Sequence, residues 1–119
     1  MPAPDPRSFL PLTPLAFEVL LALADGPRHG YGIILEVGER TDGLIRLRTG
    51  TLYVLLQRLV DQELIDESAK RPGPDDDSRR KYYSVTPLGR AVLEAEARRL
   101  QAVVGEARRK RVLGKAGKA

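Results

Sequence analysis

The fold class read from these 119 residues is mainly α with a small β-hairpin. Three observations lead to it. Hydrophobic residues make up 42% of the chain but aromatics only 5%, with no Trp, so the core is mostly Leu, Val, Ile and Ala, which favours helices. Apolar residues recur at helical spacing in four stretches, two of which open with Thr followed by Pro. Two short runs suited to strands flank a Pro/Gly/Asp-rich stretch at 71–80, the pattern of a hairpin. The length is that of one domain, on the usual ~100–200 residues each.

Residues 1–12 contain Pro2, Pro4, Pro6 and Pro11, which lack amide donors and restrict their predecessors, so the segment reads as a flexible arm. Phe9, Leu10 and Leu12 are apolar enough for part of it to pack. Thr13 before Pro14 pairs an N-cap with Pro at the first helical position, and Leu15, Val19, Leu20 and Leu23 follow until Asp25-Gly26-Pro27 stops the run. A second helix starts near His29 and runs to about Thr41, with Tyr31, Ile34, Leu35 and Val37 available for burial. Its Gly30, Gly32 and Gly38 weaken it by up to about 1 kcal/mol each relative to Ala, so they are expected where a neighbouring helix comes close.

After an extended piece from Leu44 to Arg48, Thr49 is expected to cap a third helix that ends near Gln62. Leu52, Leu55, Leu56 and Leu59 share one face of it; Gly50, Val54, Gln57 and Asp61 fall opposite, with Thr51, Tyr53 and Arg58 on the flanks. Leu64 to Lys70 and Lys81 to Thr86 are the two strands, and period-two alternation puts one of Tyr82 and Tyr83 in the core, with Tyr83 the choice. Thr86-Pro87 opens a last helix to about Val112, roughly 26 residues and about 40 Å long. Its Leu93, Ala97, Leu100, Val104 and Ala107 step by four, three, four, three, the seam of a helix that pairs with another, so a homodimer is expected.

Composition narrows the function. Zero Cys removes thiolate nucleophiles and Cys-based metal sites, and His29 is the one imidazole, so enzyme readings start low and no metal or cofactor is expected. A lone His at a helix start is read as structural. The chain shows neither a signal-peptide-like apolar run nor a stretch near the ~20 apolar residues of a membrane span, which points to a cytoplasmic protein without a membrane partner. Residues 1–67 carry 6 basic and 10 acidic side chains, whereas residues 68–119 carry 14 and 6; that lopsided charge suits a polyanionic partner.

The element order is that of a winged helix-turn-helix with an added long helix. His29-Gly-Tyr-Gly-Ile33, Gly50-Thr-Leu-Tyr53, Leu59 with Leu64-Ile65, Arg80-Lys-Tyr-Tyr83, and Val85-Thr86 with Gly89 together resemble the PadR family of bacterial transcriptional regulators, over about residues 13–90. The single last helix is similar to the short subfamily. The chain departs from the pattern at Val54, where the family usually has Pro, and in the acidic run Asp75-Asp76-Asp77 at the wing tip, which would repel phosphates.

Residues and resemblance together give this expected organisation: a flexible arm (1–12), a winged helix-turn-helix DNA-binding domain (13–86), a dimerisation helix (87–113) and a flexible tail (114–119). The resemblance implies a sequence-specific regulator of double-stranded DNA, a repressor released by a small apolar or aromatic effector. On the residues themselves, the third helix is the one to enter a major groove. Gly50 leaves its N-terminus open to a phosphate, and Thr49, Thr51 and Tyr53 add hydroxyl donors. Gln57 can read adenine, Val54 can meet a thymine methyl, and Arg58 flanks them. In the wing, Lys70, Arg71, Arg79, Arg80 and Lys81 are placed to clamp phosphates. A winged helix that binds only protein should lose those basic flanks, and an RNA binder should show paired aromatics on a sheet, which are not evident.

Overall fold

The computed structural model describes residues 4–68 and 81–114. Among them a short 3-10 turn, Pro6–Phe9, precedes α1 (Pro14–Ala22), β1 (Arg28–His29), α2 (Gly30–Arg40), α3 (Thr49–Asp61), β2 (Ile65–Ser68), β3 (Tyr82–Val85) and α4 (Pro87–Arg109). The helical class with a small sheet therefore stands as read from the sequence.

Both Thr-Pro pairs start helices. Thr13 Oγ1 accepts from the Ala16 amide at 3.2 Å and Thr86 Oγ1 from the Gly89 amide at 2.9 Å. His29 caps α2 through Nδ1, which accepts from the Gly32 amide at 3.0 Å. The cap expected at Thr49 is corrected: Arg48 is the N-cap of α3, Thr49 is its first residue, and no side chain caps it.

The core is a wedge of aliphatic side chains between the helices and the sheet. Val19, Leu20 and Leu23 of the α1 region, Ile33 and Val37 of α2, Leu52, Leu56 and Leu59 of α3, Leu64, Ile65 and Val92 are each at most 1% exposed. Fully burying each of these stabilises the fold by about 1.5–3 kcal/mol. On α3 the leucine face points inward as its spacing requires. On α2 the inward face is Gly30, Ile33 and Val37, so Tyr31 and Leu35, read as candidates for burial, are solvent-exposed at 58% and 45%. Tyr31 lies one position past Gly30, about 100° around the helix, and Leu35 two positions from both Ile33 and Val37, on roughly the opposite face.

The sheet has three antiparallel strands in the order β1-β3-β2. β3 pairs with β2 through Ile65 opposite Val85 and Glu67 opposite Tyr83, and with β1 through Arg28 opposite Tyr83 and His29 opposite Tyr82. As the central strand β3 buries both tyrosines: Tyr83 joins the core, and Tyr82 is covered by the His29 ring, edge-on at 5.3 Å. Alternation foresaw only the first. β2 starts at Ile65 rather than Leu64 and β3 runs Tyr82–Val85 rather than Lys81 to Thr86, while Lys70 and the loop at 71–80 lie outside the described residues.

α4 has two halves of different character. Near its start, a Cβ on Gly89 would lie 2.0 Å from the Leu64 carbonyl oxygen, so only glycine lets the helix come this close to the start of β2. Val92 and Leu93 enter the core, and Glu96, 1% exposed, is its buried carboxylate. Leu12 donates its amide to Glu96 Oε2 at 3.0 Å, and Arg99 holds both carboxylate oxygens at 2.6 and 3.0 Å. As their apolar character suggested, Phe9, Leu10 and Leu12 are partly buried against the core, and Pro6–Phe9 forms a 3-10 turn. From Ala97 onward α4 stands largely clear of the body. It ends at Arg109 rather than near Val112, because Arg111 turns left-handed (φ 64°) and the Val112 amide donates back to the Ala107 carbonyl.

Candidate nucleic-acid interface

The outward side of α3 follows from the burial of its leucines. Thr49, Gly50, Thr51, Tyr53, Val54, Gln57 and Arg58, all singled out in the sequence, lie exposed on this one helix, with Val54 at 64% and Tyr53 at 46%. Gly50 is not required by the protein's own packing, since a Cβ there would meet nothing within 4 Å. The first-turn amides of α3 have no side-chain cap, in contrast to those of α1, α2 and α4. Helix N-termini attract anions through such amides and the helix dipole.

Two features escaped the sequence reading. Arg48 is exposed at the start of α3, adding a cation beside the uncapped amides; its place at the end of an irregular segment left no periodicity to mark it. The start of α1 also contributes, because Thr13, Pro14 and Leu15 face Thr51, Val54 and Arg58 across an open groove of about 780 Å³.

Tyr53 is held by α2. Its hydroxyl lies over Gly30, where a Cβ would come within 2.4 Å of the oxygen. Of the three glycines expected at a close approach, Gly30 fulfils that role towards α3; a Cβ on Gly32 would make ordinary contact with the His29 ring, and one on Gly38 would meet nothing. Gln57 is also oriented, its Nε2 donating to Asp61 Oδ1 at 2.9 Å.

The wing is described only at its base. Lys81 is 62% exposed in its side chain and lies 3.6 Å from Glu67. Tyr83 donates to the same carboxylate at 3.4 Å, and burial, with the charge of Glu67 adding, pushes its hydroxyl up to about 12. Lys70, Arg71, Arg79 and Arg80, with the Asp75-Asp76-Asp77 run, lie outside the described residues.

On α4 the five seam residues divide. Leu93 is buried at 6% in its own core, whereas Ala97 and Val104 are exposed and Leu100 and Ala107 half-buried; Val103, 52% exposed, adds to the free apolar surface. Among the described residues, no helix is long and apolar enough to cross a membrane, and no three His, Cys, Asp or Glu gather into a group able to hold a metal ion.

Three helices, an antiparallel wing and an exposed third helix define a winged helix-turn-helix protein. Residues 19–95 match the sequence pattern of the transcriptional regulator PadR-like family. The chain belongs to that family of transcriptional regulators. It is 36% identical over 75 residues to an uncharacterized protein of Lysinibacillus sphaericus, covering 63% of this chain and 67% of the relative. Among solved structures it is similar to a PadR family transcription regulator from Clostridium difficile, with 25% identity, a TM-score of 0.67, and coverage of 80% of this chain and 95% of the other. Bacillus subtilis PadR, solved in complex with operator DNA, shares the fold at 24% identity and a TM-score of 0.59, over 71% of this chain and 47% of the other.

Proposed function

We propose that this chain is a homodimeric repressor that binds specific double-stranded DNA through α3. The observation that carries this reading is the exposed side of α3, which joins uncapped amides, two arginines and side chains able to read bases on one surface opposite a fully buried leucine face. Membership of a transcriptional regulator family, and a similar fold solved on operator DNA, support it.

In this reading Thr49, Gly50 and Thr51, with Arg48, receive a phosphate at the start of α3, because amides, hydroxyls and a guanidinium all donate to phosphate oxygens. Tyr53 and Arg58 flank the groove edge, Val54 meets a thymine methyl and Gln57 reads an adenine. Lys81 joins Lys70, Arg71, Arg79 and Arg80 of the wing in neutralising the backbone. Two copies pair along α4 through Ala97, Leu100, Val104 and Ala107, with Val103 at the margin; Leu93 supports that surface from beneath. A small apolar or aromatic effector that favours one spacing of the paired helices would shift the two α3 helices relative to the DNA half-sites, coupling ligand to operator.

The test is binding of the purified protein to the duplex immediately upstream of its own gene, with a scrambled duplex as control. Repression and effector release are then read from a reporter on that segment, with and without a panel of aromatic and cationic amphiphiles.

A further inference from the structure

The stripe on α3 continues one turn past Gln57 to a residue of the wrong sign for a DNA-facing surface. Asp61, exposed and last in the helix, follows Gly50, Val54 and Gln57 at steps of four, three and four. A carboxylate there repels phosphates, and its contribution to the helix as an i,i+4 partner is only a few tenths of a kcal/mol by ordinary measure. Its contact supplies another role. Gln57 Nε2 donates to Asp61 Oδ1 at 2.9 Å, and a carboxylate can only accept, so the amide is held with its NH2 group towards Asp61 and its carbonyl oxygen directed away.

That orientation changes what Gln57 can recognise. A free glutamine amide has two N–H donors and one carbonyl acceptor. With one N–H committed to Asp61, one donor and one acceptor remain. The major-groove edge of adenine presents one acceptor, N7, and one donor, the N6 amino group, which this pair complements. Guanine presents two acceptors, N7 and O6, so the remaining N–H satisfies one while the Gln57 carbonyl opposes the other.

We propose that Asp61 is a positioning residue that fixes the Gln57 amide so that it selects adenine over guanine at one position of each half-site; this deepens, and rests on, the reading of α3 as the DNA-recognising helix. The acidic charge is the cost of the constraint. Removing it should raise affinity for every duplex, while removing the acceptor should erode selectivity, and the two effects separate in different variants.

The test is selection from a randomised duplex library by the full-length protein and by its Gln57→Ala, Asp61→Ala and Asp61→Asn variants, each shown to be folded by thermal melting. A bidentate contact of this kind discriminates on the order of tenfold against the wrong base. The wild type should show one half-site position with that adenine preference, and Gln57→Ala should abolish it. Asp61→Ala should bring the adenine-to-guanine ratio close to one, whereas Asp61→Asn, which keeps an acceptor for the Gln57 amide, should retain it. Both Asp61 variants should bind non-specific duplex more tightly. An unchanged ratio in Asp61→Ala, or an equal fall in Asp61→Asn, overturns the positioning role while leaving DNA recognition by α3 intact. A position that survives Gln57→Ala also overturns it, because Gln57 is then not the reader. A wild-type protein that selects no sequence removes the DNA reading and this inference together.

Discussion

The Tyr53 hydroxyl on α3 occupies the space that a side chain on Gly30 of α2 would need, with a Cβ there only 2.4 Å from the oxygen. The two helices are thus fitted to each other at the edge of the proposed interface, and the glycine sets where the tyrosine lies. Gly30→Ala should move Tyr53, because the obstructing atom is the far end of a half-exposed side chain that can swing outward. The stability change should stay within about 1 kcal/mol, since the backbone need not shift. DNA affinity should fall to the level of Tyr53→Ala, and the double variant should be no worse than either single one. Additive losses in a double-mutant cycle would show that the two residues act independently.

Gly89 meets a harder limit. Its neighbour is the Leu64 backbone carbonyl, which cannot move without shifting β2, and Val85 Cγ2 lies 2.8 Å from the same Cβ position. Gly89→Ala should destabilise the fold by about 2–3 kcal/mol, seen as a lower denaturation midpoint with an unchanged m-value.

Glu96 ties the N-terminal segment to α4. Hydrogen bonds from Arg99, with the Leu12 amide adding, hold its carboxyl below the ordinary value of 4.5. A depressed folded-state pKa gives stability that is present above the unfolded value and lost as pH falls through the folded one. Glu96→Gln should therefore be less stable than wild type at neutral pH, and the gap should close on the acid side of 4.5. Glu96→Ala leaves the Leu12 amide without its acceptor and should cost about 2 kcal/mol at neutral pH. Denaturation curves along a pH series check both.

Much of this architecture was legible because its determinants are local. The Thr-Pro starts of α1 and α4 and the leucine face of α3 each need only a few residues to declare themselves, and Gly89 was already part of the motif. What stayed hidden depends on distant partners. β1 is two residues long, too short for any period, and becomes a strand only because Tyr82 and Tyr83 pair with it. The second buried tyrosine follows from that added strand and the His29 ring. Nothing local marks Glu96 as buried, because the Leu12 amide it accepts from lies 84 positions away. At the candidate interface the exposed residues of α3 could be named, but not that Arg48 stands at its uncapped start or that Asp61 holds Gln57.

The outer half of α4 leaves Val103 and Val104 exposed beside Leu100, an apolar strip suited to a second copy. Leu100→Glu should yield monomers in sedimentation and bind DNA weakly, since one half-site contributes only part of the contacts. The same substitution at Leu93 should unfold the protein instead, because that residue lies in its own core.

The central claim, specific duplex recognition by α3, is tested most directly by titrating the upstream duplex and its scrambled control across a series of salt concentrations. With several Lys and Arg per protomer displacing counterions, log Kobs should fall against log salt with a slope of about −4 or steeper for both duplexes. The upstream duplex should stay tighter by at least about 10³ throughout. Equal affinity for the two, or binding that does not respond to salt, would contradict the account.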